Sequence, residues 1–244
     1  MRTRYGFAGA YLACFVATEL VYTHLSPDSR DRLVAWASTD VANLEHEPAG
    51  PLLVSAFVTP GYLLTWPVLI ALALFGASRA LGNLWTALVC LAGQVVGSLV
   101  SEGIVAYRIH AGQLPAADRY LQDVGPSYVV MSAIVIAILG GTWLARALAV
   151  VDFAILVFVG DIFGGLSHLD VAPVGHLTAM LTATAATVFI LTRRRSAPAS
   201  ASPASAGHVA DGQADQVGDR DGEGAQDQLP ERTPPEGPVG QPGH

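Results

Sequence analysis

The chain has no lysine, only two cysteines and few charges of any kind. Charged residues make up 14% of its 244 residues against 52% hydrophobic ones, well below the share that coats an ordinary water-soluble domain. The scarcity is uneven. Residues 1–195 hold eleven arginines and twelve acidic residues, close to neutrality, whereas the stretch from Ser196 onward holds eight acids and two arginines. The net charge of −7 is therefore mostly a property of the C-terminal stretch, and it argues against nucleic acid as a partner. Cys14 and Cys90 both fall inside apolar runs with no second cysteine at ligand spacing, which excludes a disulfide framework and a cysteine-based zinc site. No small-x-small cleavage motif follows the first apolar run, so that run reads as a retained span rather than a removed signal peptide. It is also too short before Cys14 to serve as a lipoprotein signal.

What the chain does have is apolar length. A hydrocarbon core of about 30 Å needs roughly 20 apolar residues of helix. Six segments qualify: residues 5–25, 61–77, 83–105, 125–144, 147–163 and 174–191. The second belongs to a longer apolar run broken by Pro60-Gly61 and Pro67, and residues 52–59 read as an entry turn or interfacial piece before it. The polar segment 26–48 contains Leu33, Val34 and Trp36 at a spacing that fits a short helix on the membrane surface. These features predict an all-α, polytopic bundle of six transmembrane helices over residues 1–195. The remainder, 196–244, is rich in Ala, Pro, Ser, Gly and Asp with few large apolar side chains, and is expected to be a disordered acidic tail.

Arginine placement orients the bundle. With the N-terminus inside, Arg2, Arg4, Arg79, Arg146, Arg193, Arg194 and Arg195 fall on the cytoplasmic side, and Arg30, Arg32, Arg108 and Arg119 on the outer side. The expectation is a multi-pass cell-membrane protein with both termini cytoplasmic. Its all-arginine base content fits a GC-rich bacterium, and hence a bacterial plasma membrane.

Ionisable groups inside a span are costly and mark function or a buried pair. In this topology Glu19, Glu102, Asp161, Ser127 and His176 fall in one slab on the order of 10 Å deep, in the outer half of the bundle. The cytoplasmic half is almost purely apolar. The pattern predicts a polar cavity open to the outside, with Glu19, Glu102 and Asp161 around it. Serine becomes a nucleophile when a base takes its proton, and a histidine within hydrogen-bond reach is the minimum requirement. Ser127 stands where loop becomes helix four, near helix N-terminal amides that favour developing negative charge. His176 stands in helix six, where Gly175, Ala179 and Ala183 recur every four residues and let a neighbouring helix approach closely. Helices four and six are thus expected to touch, with Ser127 opposite His176.

On these features the chain resembles the rhomboid family of intramembrane serine proteases over about residues 5–191: six helices with both ends inside, a Gly-x-Ser step (Gly125-Pro126-Ser127) opening helix four, and a histidine beside small residues in helix six. The segments 38–44 and 55–57, together with Asp123 to Tyr128 and Gly175-His176-Leu177, are more specifically similar to rhomboid-like membrane proteins of actinobacteria. The resemblance implies Ser127 as nucleophile, His176 as general base, and Gly125 near the oxyanion site with the Ser127 amide as a donor. It implies no cofactor, and a membrane protein as substrate or client. Two departures stand out. Tyr128 follows the serine where well-studied rhomboids carry glycine, and 61–77 lacks the histidine and asparagine that help hold the oxyanion in them. A catalytically inactive rhomboid-like protein that binds or chaperones membrane proteins is the alternative the departures favour. A third reading takes His168, Asp170, His176 and Glu102 as a zinc set of a membrane hydrolase or transporter, although their spacing does not demand a metal.

Overall fold

The computed structural model describes residues 4–60 and 64–196. Among them there are nine α-helices and no strand. They are α1 (Gly6–His24), α2 (Pro27–Ala37), α3 (Val41–His46), α4 (Ala49–Val54), α5 (Thr65–Leu81), α6 (Asn83–His110), α7 (Ser127–Gly140), α8 (Trp143–Phe158) and α9 (Val171–Ser196). The six predicted spans correspond to α1, α5, α6, α7, α8 and α9. By length and apolarity alone α1, α6 and α9 are sufficient to cross a membrane, and the shorter α5, α7 and α8 pack among them. The short helix expected around Leu33, Val34 and Trp36 is α2, and the piece expected before span two is α4 followed by a short 3-10 turn. The expectation of a disordered tail lies outside the described residues.

Several boundaries differ from the sequence reading for local reasons. Thr142 caps α8, its hydroxyl oxygen accepting the Ala145 N–H at 3.4 Å. Span four therefore stops at Gly140 and Leu144 belongs to α8. Because α8 starts early it also stops early, at Phe158, which moves Asp152 to mid-helix and leaves Asp161 in the loop beyond it. The described part of span two begins at Thr65 rather than in the predicted 61–64 stretch, and Pro67 sits in the first turn of α5, where a missing N–H costs no hydrogen bond. Gly82, at φ 82°, makes the tight turn from α5 to α6.

The central helix is α7. Residues 128–137 are all buried, so it is covered on every side by α5, α6, α8 and α9. Its 14 residues cover about 21 Å, less than the roughly 30 Å of a hydrocarbon core. The shortfall falls at one end. A Cβ placed on Gly140 would lie 3.3 Å from Ala80 Cβ and 3.7 Å from Leu191, so the C-terminus of α7 is level with the arginine-bearing ends of α5 and α9. The N-terminus of α7, and Ser127 with it, is consequently sunk below the opposite face. The chain leading down to it is stitched to the segment before α3 and to the 3-10 turn. Thr39 N–H donates to the Asp123 carbonyl (3.0 Å) and Gly125 N–H to the Ser55 carbonyl (2.8 Å), while Asp123 N–H donates to Ser38 Oγ (2.9 Å).

Candidate active site

Ser127 is the first residue of α7. The first helical hydrogen bond here runs from Val130 N–H to the Pro126 carbonyl, so the amides of residues 127–129 have no acceptor within the helix. Ser127 lines a cavity of about 560 Å³ between the upper parts of α5, α8 and α9. His176 lines the same cavity, as do Asp123, Trp66, Leu156 and Asp161. The sequence-predicted serine and histidine are thus brought to one space, although no hydrogen bond joins them.

The histidine is held in a definite orientation. Its Nδ1 lies 2.8 Å from the Ile162 carbonyl. A carbonyl only accepts, so Nδ1 carries the proton and neutral His176 presents an unprotonated Nε2. That Nε2 is buried without a partner among the described residues. The ring is packed edge-on by Tyr128 (centroids 5.2 Å apart at 78°) and by Phe163 (6.5 Å, 90°). Tyr128 is itself fixed, its hydroxyl donating to Asp123 Oδ2 at 2.9 Å, an oxygen that also accepts from the Thr39 hydroxyl at 3.1 Å. Burial pushes the Asp123 carboxyl above its ordinary value, while these two hydrogen bonds pull it down.

Tyr128 has room because its neighbours are glycines. A Cβ on Gly175 would fall 2.1 Å from Tyr128 Oη, and one on Gly97 would lie 3.3 Å from Tyr128 Cδ2 and 3.0 Å from the Gly175 carbonyl. The small-residue face of α9 therefore meets α6 as well as α7. The remaining predicted site residues are placed differently. Gly125 adopts φ 135°, a conformation that favours glycine, and its amide is committed to Ser55. Asp161, at φ 47°, sits on the cavity rim. Glu19 and Glu102 are buried but do not line this cavity. Glu19 accepts the Thr59 N–H at 3.0 Å, and neither Glu102 oxygen has a hydrogen-bond partner among the described residues. No group of three or more His, Cys, Asp or Glu side chains among the described residues is arranged to hold a metal ion.

Sequence reasoning missed the Ile162 carbonyl, which carries no residue signature. Asp123 carries no signature of its role in the sequence beyond standing five residues before the tyrosine it anchors.

A family model described as rhomboid-like protein matches residues 6–197. The chain belongs to this rhomboid-like family. No curated protein and no solved structure matches it.

Proposed function

We propose that this rhomboid-like protein is an intramembrane serine endopeptidase that cleaves membrane-protein substrates near the outer surface of a bacterial plasma membrane, with both its termini cytoplasmic. The observation that carries the reading is the state of His176. Its Nδ1–H is tied to a carbonyl, its buried Nε2 has no partner among the described residues, and the residue lines the same cavity as a serine at a helix N-terminus. This is the tautomer a general base needs. As the Ser127 hydroxyl attacks the scissile carbonyl carbon, its proton passes to His176 Nε2. The negative charge that develops on the carbonyl oxygen is met by first-turn amides of α7, Ser127 N–H foremost. Collapse of the tetrahedral species breaks the C–N bond, and His176 returns its proton to the leaving amine. Water, deprotonated by the same Nε2, then hydrolyses the acyl-serine ester. Catalytic hydrogen bonds are commonly long in a free enzyme and shorten in the complex, so an unbonded pair sharing one cavity fits the free state.

A second reading, a non-catalytic protein that binds or chaperones other membrane proteins, is favoured by one observation: Ser127 and His176 make no hydrogen bond, while Tyr128 is packed against the histidine. A fluorophosphonate probe separates the two. The protease reading expects covalent labelling of Ser127 in native membranes, together with loss of labelling and of reporter-substrate cleavage in Ser127→Ala and His176→Ala. An unlabelled serine in folded protein, with client binding unchanged in Ser127→Ala, would establish the second reading instead.

A further inference from the structure

At the arginine-bearing end of the bundle, α5 and α8 leave a groove of about 480 Å³ between them, within the range of small-molecule sites. Its walls along the helices are Ala71, Leu72, Phe75 and Leu148. Phe75 is 37% exposed and Leu148 38%, so the groove is open toward the space a bilayer would fill. Its chemistry changes at one end. There it is lined by Arg79, Tyr5 and Thr142. Arg79 Nη1 lies 3.5 Å from the Tyr5 hydroxyl, and no carboxylate pairs with Arg79 among the described residues. The same end meets the first turn of α8. Thr142 is the N-cap of this 16-residue helix, and Leu144 and Ala145 line the groove beside it. The Ala145 N–H is taken by the Thr142 hydroxyl oxygen, but the other first-turn amides, of Trp143 and Leu144, have no acceptor within the helix and sit at the positive end of its dipole, a natural place for a phosphate.

We propose that this groove is a binding site for one anionic phospholipid. Its phosphodiester is held between the Arg79 guanidinium, the Tyr5 and Thr142 hydroxyls and the first turn of α8, and one acyl chain lies along Ala71, Leu72, Phe75 and Leu148. Three features favour this occupant over a peptide or a soluble anion. The apolar trough lies along two membrane-spanning helices, the donors gather only at its end, and that end is where the lipid headgroups of the leaflet would be. The unpaired cation selects negative over zwitterionic headgroups. The site is separate from the Ser127 cavity, and the inference stands whichever reading of that cavity holds.

The test is native mass spectrometry on the full chain in detergent, supplied with equal amounts of phosphatidylglycerol and phosphatidylcholine. The wild type is expected to retain one phosphatidylglycerol in preference to phosphatidylcholine. Losing a hydrogen bond to a charged partner in Arg79→Gln should lower that retention about tenfold. Leu148→Trp, which fills the trough, should also lower it, while Arg119→Gln at the opposite end should not. Glycerol phosphate, which has the headgroup charge but no acyl chain, should fail to displace the lipid. A wild-type readout that depends on no variant comes from a phosphatidylglycerol with a photoreactive acyl chain, whose adduct should map to residues 71–79 or 142–148. Equal retention of the two lipids, unchanged retention in folded Arg79→Gln, displacement by glycerol phosphate, or an adduct mapped elsewhere would each overturn the proposal.

Discussion

Gly175→Ala puts one methyl group where the Tyr128 ring already is. The added Cβ would lie 2.1 Å from Tyr128 Oη, 2.2 Å from Cζ and 2.6 Å from Cε1, against about 3.5–4.0 Å for a comfortable contact. The ring cannot easily retreat. It is 2% exposed, Gly97 and His176 bound it, and its hydroxyl is bonded to Asp123. Overpacking of this kind costs about 1–3 kcal/mol, and losing a hydrogen bond to a carboxylate about 1.5–3 kcal/mol. Helix propensity works the other way, favouring alanine over glycine by about 1 kcal/mol. The balance is a net loss of about 1.5–5 kcal/mol, a large fraction of a typical 5–15 kcal/mol total. The assay is thermal unfolding in detergent followed by intrinsic fluorescence, run as a double-mutant cycle with Tyr128→Leu. With the tyrosine gone, the clash and the Asp123 bond are gone too, so only the propensity term remains. Gly175→Ala should then be neutral or stabilising, a coupling of at least about 2 kcal/mol. If Gly175→Ala costs the same in both backgrounds, the Tyr128 wedge is not the reason for the glycine and the reasoning fails.

Two other substitutions follow from the buried acids. The folded state raises the Asp123 carboxyl above its ordinary 3.8, so the proton is held more tightly in the fold than in the unfolded chain. That contribution to stability is fully present below pH 3.8 and is lost as the pH rises through the raised value. Asp123→Asn keeps an acceptor for Tyr128 and Thr39 without this loss. Its midpoint of unfolding should gain on the wild type as the pH is raised from about 4 to about 7, and parallel curves would contradict the assignment. Asp152 is fully buried in α8 with no partner for either oxygen among the described residues. Asp152→Ala removes both unpaired oxygens and should stabilise the bundle by about 1–3 kcal/mol in the same unfolding assay. A loss of that size would mean that the carboxylate has a partner or role the fold depends on.

The spans were legible because apolar length is carried residue by residue. The start of α1 and the start of α6 could be read within a few residues, whereas α9 runs on through the three arginines expected to stop it, to Ser196. The α7–α8 boundary could not, because Gly140, Gly141 and Thr142 make their turn inside an apolar stretch with no charge to mark it. Helix α7 also hides its register, since a helix buried all round has no polar face and therefore no periodicity. At the site, Ser127 and His176 were legible as residue types and Gly175 as a point of close approach. The carbonyl that sets the histidine tautomer and the amides of α7 were not, since every residue has them. The five polar groups assigned to one slab did not all meet in one cavity, because depth along a helix says nothing about which way the side chain faces. Glu19 turns to the Thr59 amide instead.

The tyrosine after Ser127 is the clearest departure from the Gly-x-Ser-Gly pattern, and its surroundings explain how it is tolerated. The bulk at 128 is accommodated by the absence of side chains at Gly175 and Gly97, which leaves between α6, α7 and α9 the space the ring fills. The tyrosine also bears on what holds the histidine. A ring anchored to Asp123 lies edge-on to His176, and the Ile162 carbonyl accepts from its Nδ1 on another side. On the proposed protease reading, a histidine held on two sides gives up rotational freedom before any substrate arrives, a cost already met in folding and not charged again to the reaction. Tyr128 therefore weighs less against catalysis than its absence from the familiar pattern suggests. What does weigh against catalysis is the lack of a histidine and an asparagine in 61–77, which on the proposed reading leaves the oxyanion to the first-turn amides of α7. The short length of that helix is what makes them available, because it leaves its N-terminus inside the bundle beside Ser127 rather than at the surface.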